Sequence, residues 1–113
     1  MYKLSKEVIL DGVVVPGAPF ESRTYQFDQC DNFSLIIDKM VGASPNISIT
    51  YKISTDNSLF IDPSNEHLIE GLDSTDAQSI RLVLAPFLRF YITNQGAIDT
   101  TLRVIVYKQE VAR

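Results

Sequence analysis

The sequence has little of what small secreted domains usually carry. It contains one cysteine and no tryptophan. Cys30 alone cannot form an intrachain disulfide, so the chain is not a disulfide-stapled secreted domain, and we expect it to fold in a reducing, intracellular compartment. Residues 1–10 hold no apolar run of signal-peptide length, and no later run is long enough to span a membrane. We therefore expect neither export nor a membrane partner.

The residue groups that carry catalysis are also scarce. Cys30 and His67 are too few ligands for a zinc site. The sequence has no phosphate-binding glycine loop and no nucleophile elbow of the G-x-S-x-G type. If a cation binds anywhere, the segment from Asp56 to Asp62 is the place for it, although solvated loop carboxylates are the favoured interpretation. The sequence thus predicts a protein that is not an enzyme and has no cofactor or metal.

Basic residues are sparse as well. Ten Lys and Arg stand against fourteen Asp and Glu, which gives a formal net charge of −4. Binding to nucleic acid usually needs a basic stripe that displaces counterions from phosphates. The arginines Arg81, Arg89 and Arg103 stand singly among apolar residues, so we expect no nucleic-acid partner.

The sequence is rich in alternating apolar and polar residues, and 45% of it is hydrophobic. Such alternation is typical of a strand with one buried face. The clearest case is the segment Ile47–Ser54. The same pattern predicts strands at Thr24–Asp28, Phe33–Val41, Ser79–Ala85, Leu88–Thr93 and Thr100–Gln109, with further candidates at Val8–Val15 and near His67–Glu70. In the segment Phe33–Val41, the pattern places Ile36 and Met40 opposite the face of Phe33.

These segments predict an all-β fold, an antiparallel β-sandwich of seven to eight strands with jelly-roll-like form. Residues 20–113 are expected to form one domain, and residues 1–19 an N-terminal arm or first strand. The last strand is apolar on both faces, which is typical of a central strand. Asn94–Asp99 is expected to join the last two strands as a hairpin, with Gly96 at a positive φ.

Tyrosine and arginine are enriched in protein interfaces, and the last two strands carry both. On the predicted hairpin one outer face would carry Arg89, Tyr91, Arg103, Ile105 and Tyr107. The N-terminal segment would add Lys3, Val8 and Val13 to a protein-interface site. Alternatively, the long loop 57–78 covers this outer face. Tyr25 and Tyr51 are in phase with the core and expected to be buried, whereas Tyr91 and Tyr107 would form an exposed aromatic pair, which would also suit a sugar ring.

Three segments together resemble a known class of protein. They are I-T-Y-K-I-S-T-D-N (residues 49–57), A-P-F-L-R-F-Y-I-T-N (85–94) and T-L-R-V-I-V-Y-K (101–108). They resemble small β-sandwich accessory proteins of tailed bacteriophage particles, which decorate capsids or serve in head fibres, necks and tails. The closing strands also resemble galactose-binding-like jelly rolls.

The phage resemblance implies a structural protein of the virion, most simply a capsid decoration protein that acts by protein–protein contact. Its implied partners are the major capsid protein or another virion protein, and further copies of itself, with a trimer favoured. It would fold in the host cytoplasm and reside in the virion, and its N-terminal arm would become ordered on binding. The alternative function is a carbohydrate-binding module, for example on a tail fibre.

Overall fold

The computed structural model describes residues 2–26, 30–63, 67–80 and 85–111. Within these ranges the regular structure is all strand, with no helix. Accordingly, no helix in these ranges has the length and apolar character needed to cross a membrane. The strands are β1 (Tyr2–Val14), β2 (Phe20–Glu21), β3 (Tyr25–Gln26), β4 (Cys30–Val41), β5 (Ile47–Ser54), β6 (His67–Leu72), β7 (Asp76–Ile80), β8 (Phe87–Asn94) and β9 (Thr100–Val111).

The strands form two antiparallel sheets, which confirms the predicted all-β sandwich. The four-stranded sheet has the order β1-β9-β4-β7. The five-stranded sheet has the order β2-β8-β5-β6, and the short strands β2 and β3 pair with different parts of β8. The predicted central position of the last strand is confirmed, because β9 lies between β1 and β4.

The core lies between the sheets and consists of the residues that alternation places on one face of each strand. In the five-stranded sheet, Tyr51 of β5 is paired with Phe90 of β8, and both are fully buried. In the four-stranded sheet, Leu35 of β4 is paired with Val106 of β9. The Phe90 ring meets Phe33 edge-on across the sandwich, with centroids 6.3 Å apart. Each such buried side chain contributes about 2 kcal/mol through removal of apolar surface from water.

Besides a register shift between Cys30 and Phe33 at the start of β4, two β-bulges shift the alternation within the four-stranded sheet. One lies in β1 between Val8 and Leu10, and the other lies in β4 between Ile37 and Lys39. An extra residue in one strand moves all later side chains to the opposite face. Met40 therefore packs against the core. The prediction that Met40 shares the outer face with Ile36 is wrong for this reason.

The prediction of a hairpin at Asn94–Asp99 is also wrong, because β8 and β9 belong to different sheets. The segment crosses from one sheet to the other and is held by Asn94, whose Nδ2 donates to the carbonyl oxygens of Val14 and Ile98, both at 2.9 Å. Gly96 does not have a positive φ. It is needed for close approach, since a Cβ there would lie 3.1 Å from Asn94 Oδ1 and 3.3 Å from the Ser44 carbonyl oxygen.

The N-terminal segment is a strand of the sandwich, since β1 pairs with β9 from Tyr2 to Val14. Of the two predicted alternatives, arm or first strand, residues 2–14 form the strand, because their backbone groups bond to β9. After β1 the chain makes a tight turn at Pro16, in which the Ala18 N–H donates to the Val15 carbonyl at 3.1 Å. Gly17 has a φ of 78°, which the third position of a type II turn requires.

Several predicted strands extend into parts of the chain outside the described residues. The segment Thr24–Asp28 is represented by β3, and residues 27–29 lie outside. The segment Ser79–Ala85 overlaps the end of β7, and residues 81–84 lie outside. The side chains of Cys30 and Lys3 also lie outside the described part.

Candidate functional site: the outer face of the four-stranded sheet

Apolar side chains extend into solvent along the outer face of the four-stranded sheet. The exposed members are Leu4 and Val13 of β1, at 68% and 54%, and Val41 of β4 at 61%. Val8 is 45% exposed. We call this surface the four-stranded face and define it by Leu4, Val8, Val13, Ile36, Val41 and Ile105.

Register explains how these residues come together. Ile105 of β9 is paired with Val8 on one side and with Ile36 on the other, so the three form a row across the sheet. Ile105 is only 3% exposed although it points away from the core, because it is the middle residue of this row. A second row runs from Val13 through Thr101 to Val41. Side chains opposite one another on neighbouring strands contact each other, so each row is a cross-strand group, with the polar Thr101 in the middle of the second row.

Between these two apolar rows lies a row of charged residues. The Arg103 guanidinium donates two hydrogen bonds to the Asp38 carboxylate, one of them from Nε to Oδ1 at 2.7 Å. This guanidinium holds the pKa of Asp38 below its ordinary value. On the other side, Arg103 is paired with Asp11 of β1. Asp38, Arg103 and Asp11 thus alternate in charge across β4, β9 and β1, and the cation Lys39 is the register partner of Arg103 in β4.

The outer face of the five-stranded sheet has a different character. Arg89 of β8 donates from Nε to Thr24 Oγ1 at 2.9 Å and from Nη1 to Glu21 Oε1 at 3.2 Å. The Tyr91 hydroxyl donates to the same Glu21 oxygen at 3.2 Å. Burial, followed by the nearby Glu21 charge, raises the pKa of Tyr91. We call this surface the five-stranded face; its polar groups bond to one another.

The chain also covers part of the five-stranded face with its own loop. The Phe60 ring stacks on the Arg89 guanidinium, with 4.1 Å from Cζ to the ring centroid. Lys52 lies 5.3 Å from the Tyr91 ring centroid and 3.7 Å from Asp62 Oδ1. Of the predicted covering segment 57–78, Phe60 and Asp62 lie against this sheet, whereas residues 67–72 and 76–80 form β6 and β7 and are not loop.

The structure divides the predicted interface residues between the two sheets. Arg89 and Tyr91 lie on the five-stranded face. Arg103, Ile105 and Tyr107 lie on β9 of the other sheet. The prediction of a single hairpin face is wrong, because β8 and β9 do not pair. The predicted aromatic pair of Tyr91 and Tyr107 is wrong for the same reason, whereas the burial of Tyr25 and Tyr51 is confirmed.

The N-terminal residues do join the β9 residues on one sheet. Val8 pairs with Ile105, and Val13 is close to Arg103 along the same strand pair. The backbone of Lys3 pairs with Glu110. Leu4, Ile36 and Val41 also belong to this face, and the sequence prediction missed Leu4 and Val41. Val41 was missed because the β4 bulge changes which residues face outward.

The edge of the four-stranded sheet is tied to the neighbouring edge of the five-stranded sheet through Glu7. Its Oε2 accepts a hydrogen bond from Arg23 at 2.9 Å, and its Oε1 lies 3.8 Å from the mostly buried Lys108 Nζ. The Tyr25 hydroxyl donates to the Val8 carbonyl at 3.4 Å. Burial raises the pKa of Tyr25. These contacts fix the position of β1 against the rest of the sandwich.

The segment from Asp56 to Asp62, predicted as the place for a cation if one binds, begins with a hydrogen-bonded turn. Asp56 Oδ1 accepts hydrogen bonds from the Ser58 and Leu59 N–H groups at 2.9 and 3.1 Å and closes a turn. These backbone donors lower the pKa of Asp56. Next to this turn is a pocket of about 160 Å³ with mainly apolar walls, among them Leu59 and Ile61. Within the described ranges, no three His, Cys, Asp or Glu residues are grouped so as to hold a metal ion.

The four-stranded face is thus a surface suited to contact with another macromolecule, with apolar rows on either side of a row of paired charges. Comparison of the chain with protein-family models, with curated proteins and with solved structures finds no match in any of the three.

Proposed function

We propose that this protein is a non-enzymatic structural protein of a bacteriophage particle, a capsid decoration protein that works by protein–protein contact. The observation that carries the proposal is the four-stranded face. Leu4, Val13 and Val41 are each more than half exposed on it. Exposed apolar side chains that lie on one sheet face among polar residues often mark a contact with another protein. The proposed partner is the major capsid protein or another virion protein.

The proposal includes the assembly and location that the sequence resemblance implies. The protein would act as a homo-oligomer in the virion after folding in the host cytoplasm, without nucleic-acid or membrane contacts. Jelly-roll connectivity belongs to the same proposal. It is supported by the strand order: with β2 and β3 counted as one interrupted strand, eight strands form two sheets of four, and only β5 to β6 connects neighbours within a sheet.

Particle occupancy tests the proposal. Particles from a phage that encodes this chain are purified by density gradient, and the chain is quantified per capsid. We expect a constant copy number set by the symmetry of the shell. Absence of the chain from purified particles would refute the virion assignment.

Surface variants test the contact face. Val13→Asp and Val41→Asp place carboxylates in the exposed apolar row without changing the core, so we expect particle occupancy to fall on the order of tenfold. Ile98→Asp is the matched control, because Ile98 is as exposed as Val13, at 54%, but lies in the β8–β9 connection. Equal occupancy for all three variants would show that the four-stranded face is not the contact.

The alternative function, a carbohydrate-binding module, depended on an exposed pair of Tyr91 and Tyr107. These residues are on different sheets, and the Tyr91 ring lies against Lys52 with its hydroxyl bonded to Glu21. No observation in the described part of the chain therefore favours the glycan hypothesis over the contact hypothesis.

A further inference from the structure

The free edge of β1 is the longest unpaired strand edge in the described part of the chain. β1 pairs only with β9, so the N–H and C=O groups on its other side have no partner strand within the described residues. The strand extends over 13 residues. An exposed edge of this length is a template for pairing with another chain.

The bulge in β1 restricts which strand can use that edge. Before the bulge, the outward residues are Leu4, Lys6 and Val8, which are even-numbered; after it they are Asp11 and Val13, which are odd-numbered. A regular strand paired along the whole of β1 would match faces on one side of the bulge and mismatch them on the other. The partner must therefore carry the same shift at the corresponding point.

A second copy of β1 in antiparallel orientation satisfies this condition. With the two-fold axis between Val8 and Ile9, every pair of opposed residues has numbers that sum to 17. Leu4 then faces Val13 of the second copy, and Lys6 faces Asp11 of the second copy, each twice by symmetry. Outward residues meet outward residues on both sides of the bulge.

We propose that β1 pairs antiparallel with β1 of a second copy of this chain across this two-fold axis, with Lys6 of each copy opposite Asp11 of the other. The charges support this pairing register. Asp11 already lies beside Arg103 of its own sheet, and Lys6 of the second copy would place a positive charge on the other side of Asp11. Arg23 at the same edge is compensated by Glu7 at 2.9 Å. The Val8 carbonyl at the bulge accepts from Tyr25, so two ladder segments flank an unpaired centre.

This inference deepens the proposed contact function by naming a partner for one edge of the four-stranded sheet. It concerns the purified chain alone, so its failure and loss of particle binding are measured separately. A two-fold contact builds dimers, and the trimer implied by the resemblance would need a different contact.

Charge reversal tests the register. Sedimentation equilibrium of the full chain under reducing conditions is expected to show a monomer–dimer equilibrium. Lys6→Asp and Asp11→Lys each replace two opposite-charge pairs with two like-charge pairs, so the dissociation constant should rise on the order of tenfold to a hundredfold. Asp73→Lys, at an exposed position away from β1, has the same charge change as Asp11→Lys and should dimerise like the unmodified chain.

Mixing the two variants gives the decisive result. An equimolar mixture of the Lys6→Asp and Asp11→Lys chains restores opposite charges at both symmetric contacts, so we expect dimers with one copy of each. The double variant should again form a dimer with itself. Circular dichroism and urea midpoints confirm that each variant folds. A monomer or trimer of the unmodified chain, unchanged dissociation constants in the single variants, or a folded mixture that does not associate would each overturn the inference.

Discussion

Substitution of Asn94 tests how the last two strands are held in different sheets. Asn94 is 3% exposed at the end of β8. Its amide nitrogen donates to the carbonyls of Val14 and Ile98 at 2.9 Å, and its Oδ1 accepts from the Gly96 N–H at 2.9 Å. One side chain thus joins the end of β1, the end of β8 and the connection between the sheets.

The expected loss follows from these three hydrogen bonds. Each contributes about 1 kcal/mol net, and a buried group left without a partner costs at least as much. Asn94→Ala should therefore lower the free energy of unfolding by about 3 kcal/mol, a large part of the roughly 5–15 kcal/mol typical of a domain. The melting temperature should fall by roughly 10 °C.

Asn94→Asp adds a test in which the change in stability depends on pH. The new carboxylate would face two carbonyl oxygens, which raises its pKa in the folded protein and favours its protonated form. Because the folded pKa is raised, the protonated carboxyl stabilises the folded protein below the unfolded pKa, about 3.9, and this stabilisation is lost as pH rises through the folded pKa. The Asp variant should thus become less stable relative to Asn94→Ala as pH rises from 4 to 7.

Urea unfolding followed by circular dichroism measures these differences, with Thr93→Ala as the control. Thr93 is the preceding residue on β8 and is half-buried. A loss below about 0.5 kcal/mol for Asn94→Ala, or stability of the Asp variant that does not depend on pH relative to Ala, would refute the structural role given to this side chain.

Three further outcomes follow from the core and the ionisable groups. Phe90→Ala removes a fully buried ring in edge contact with Tyr25 at 5.9 Å, so urea titration should show a loss of about 3–5 kcal/mol; a loss below about 1 kcal/mol would contradict the packing. Tyr25→Phe should leave stability at neutral pH nearly unchanged, because the hydrogen bond of the hydroxyl is long, at 3.4 Å. Since the folded pKa of Tyr25 is raised, the unmodified chain should lose stability above pH 10, and the Phe variant should lose less. An equal loss of stability in both proteins above pH 10 would contradict the raised pKa. The folded pKa values of Asp38, Asp56 and Asp76 are lowered, so these groups stabilise the fold above their ordinary pKa of 3.8, and this stabilisation is lost as pH falls through the lower folded values. A triple variant with Asn at all three positions should therefore lose less stability on acidification than the unmodified chain. An unchanged dependence of stability on acidic pH would contradict this.

The strands themselves could be predicted because alternation is a local property. In Ile47–Ser54 every second residue is apolar, and the structure has a strand with these bounds. The buried faces of β8 and β9 follow in the same way, with Leu88, Phe90 and Ile92 on one strand and Leu102, Val104 and Val106 on the other. A period of two fixes which residues share a face, whatever the neighbouring strand is.

The sheet to which each strand belongs could not be predicted in this way. A connection of the length of residues 95–99 suits both a hairpin and a crossing between sheets. The choice is made by Asn94 and by the Gln95 N–H, which donates to the Asn46 carbonyl at 2.8 Å, and these are contacts with distant residues. Bulges were missed for a related reason, since Val8–Val15 is apolar on both faces of the strand and gives no local sign of a shift.

The two outer faces differ in what a partner would gain by covering them. On the five-stranded face the charges of Arg89 and Glu21 already form an ion pair within the chain. A partner that covers them must remove water from both charges, and the pair itself contributes at most about 1 kcal/mol to offset that cost. On the four-stranded face, Leu4, Val13 and Val41 each keep half or more of their side chain exposed. Covering them would contribute about 1 kcal/mol each by burial alone. Each face carries such an ion pair, Arg103–Asp38 on this one, so the exposed apolar side chains decide the balance. They favour contact on the four-stranded face, beside the β1 edge where a second copy is proposed to pair.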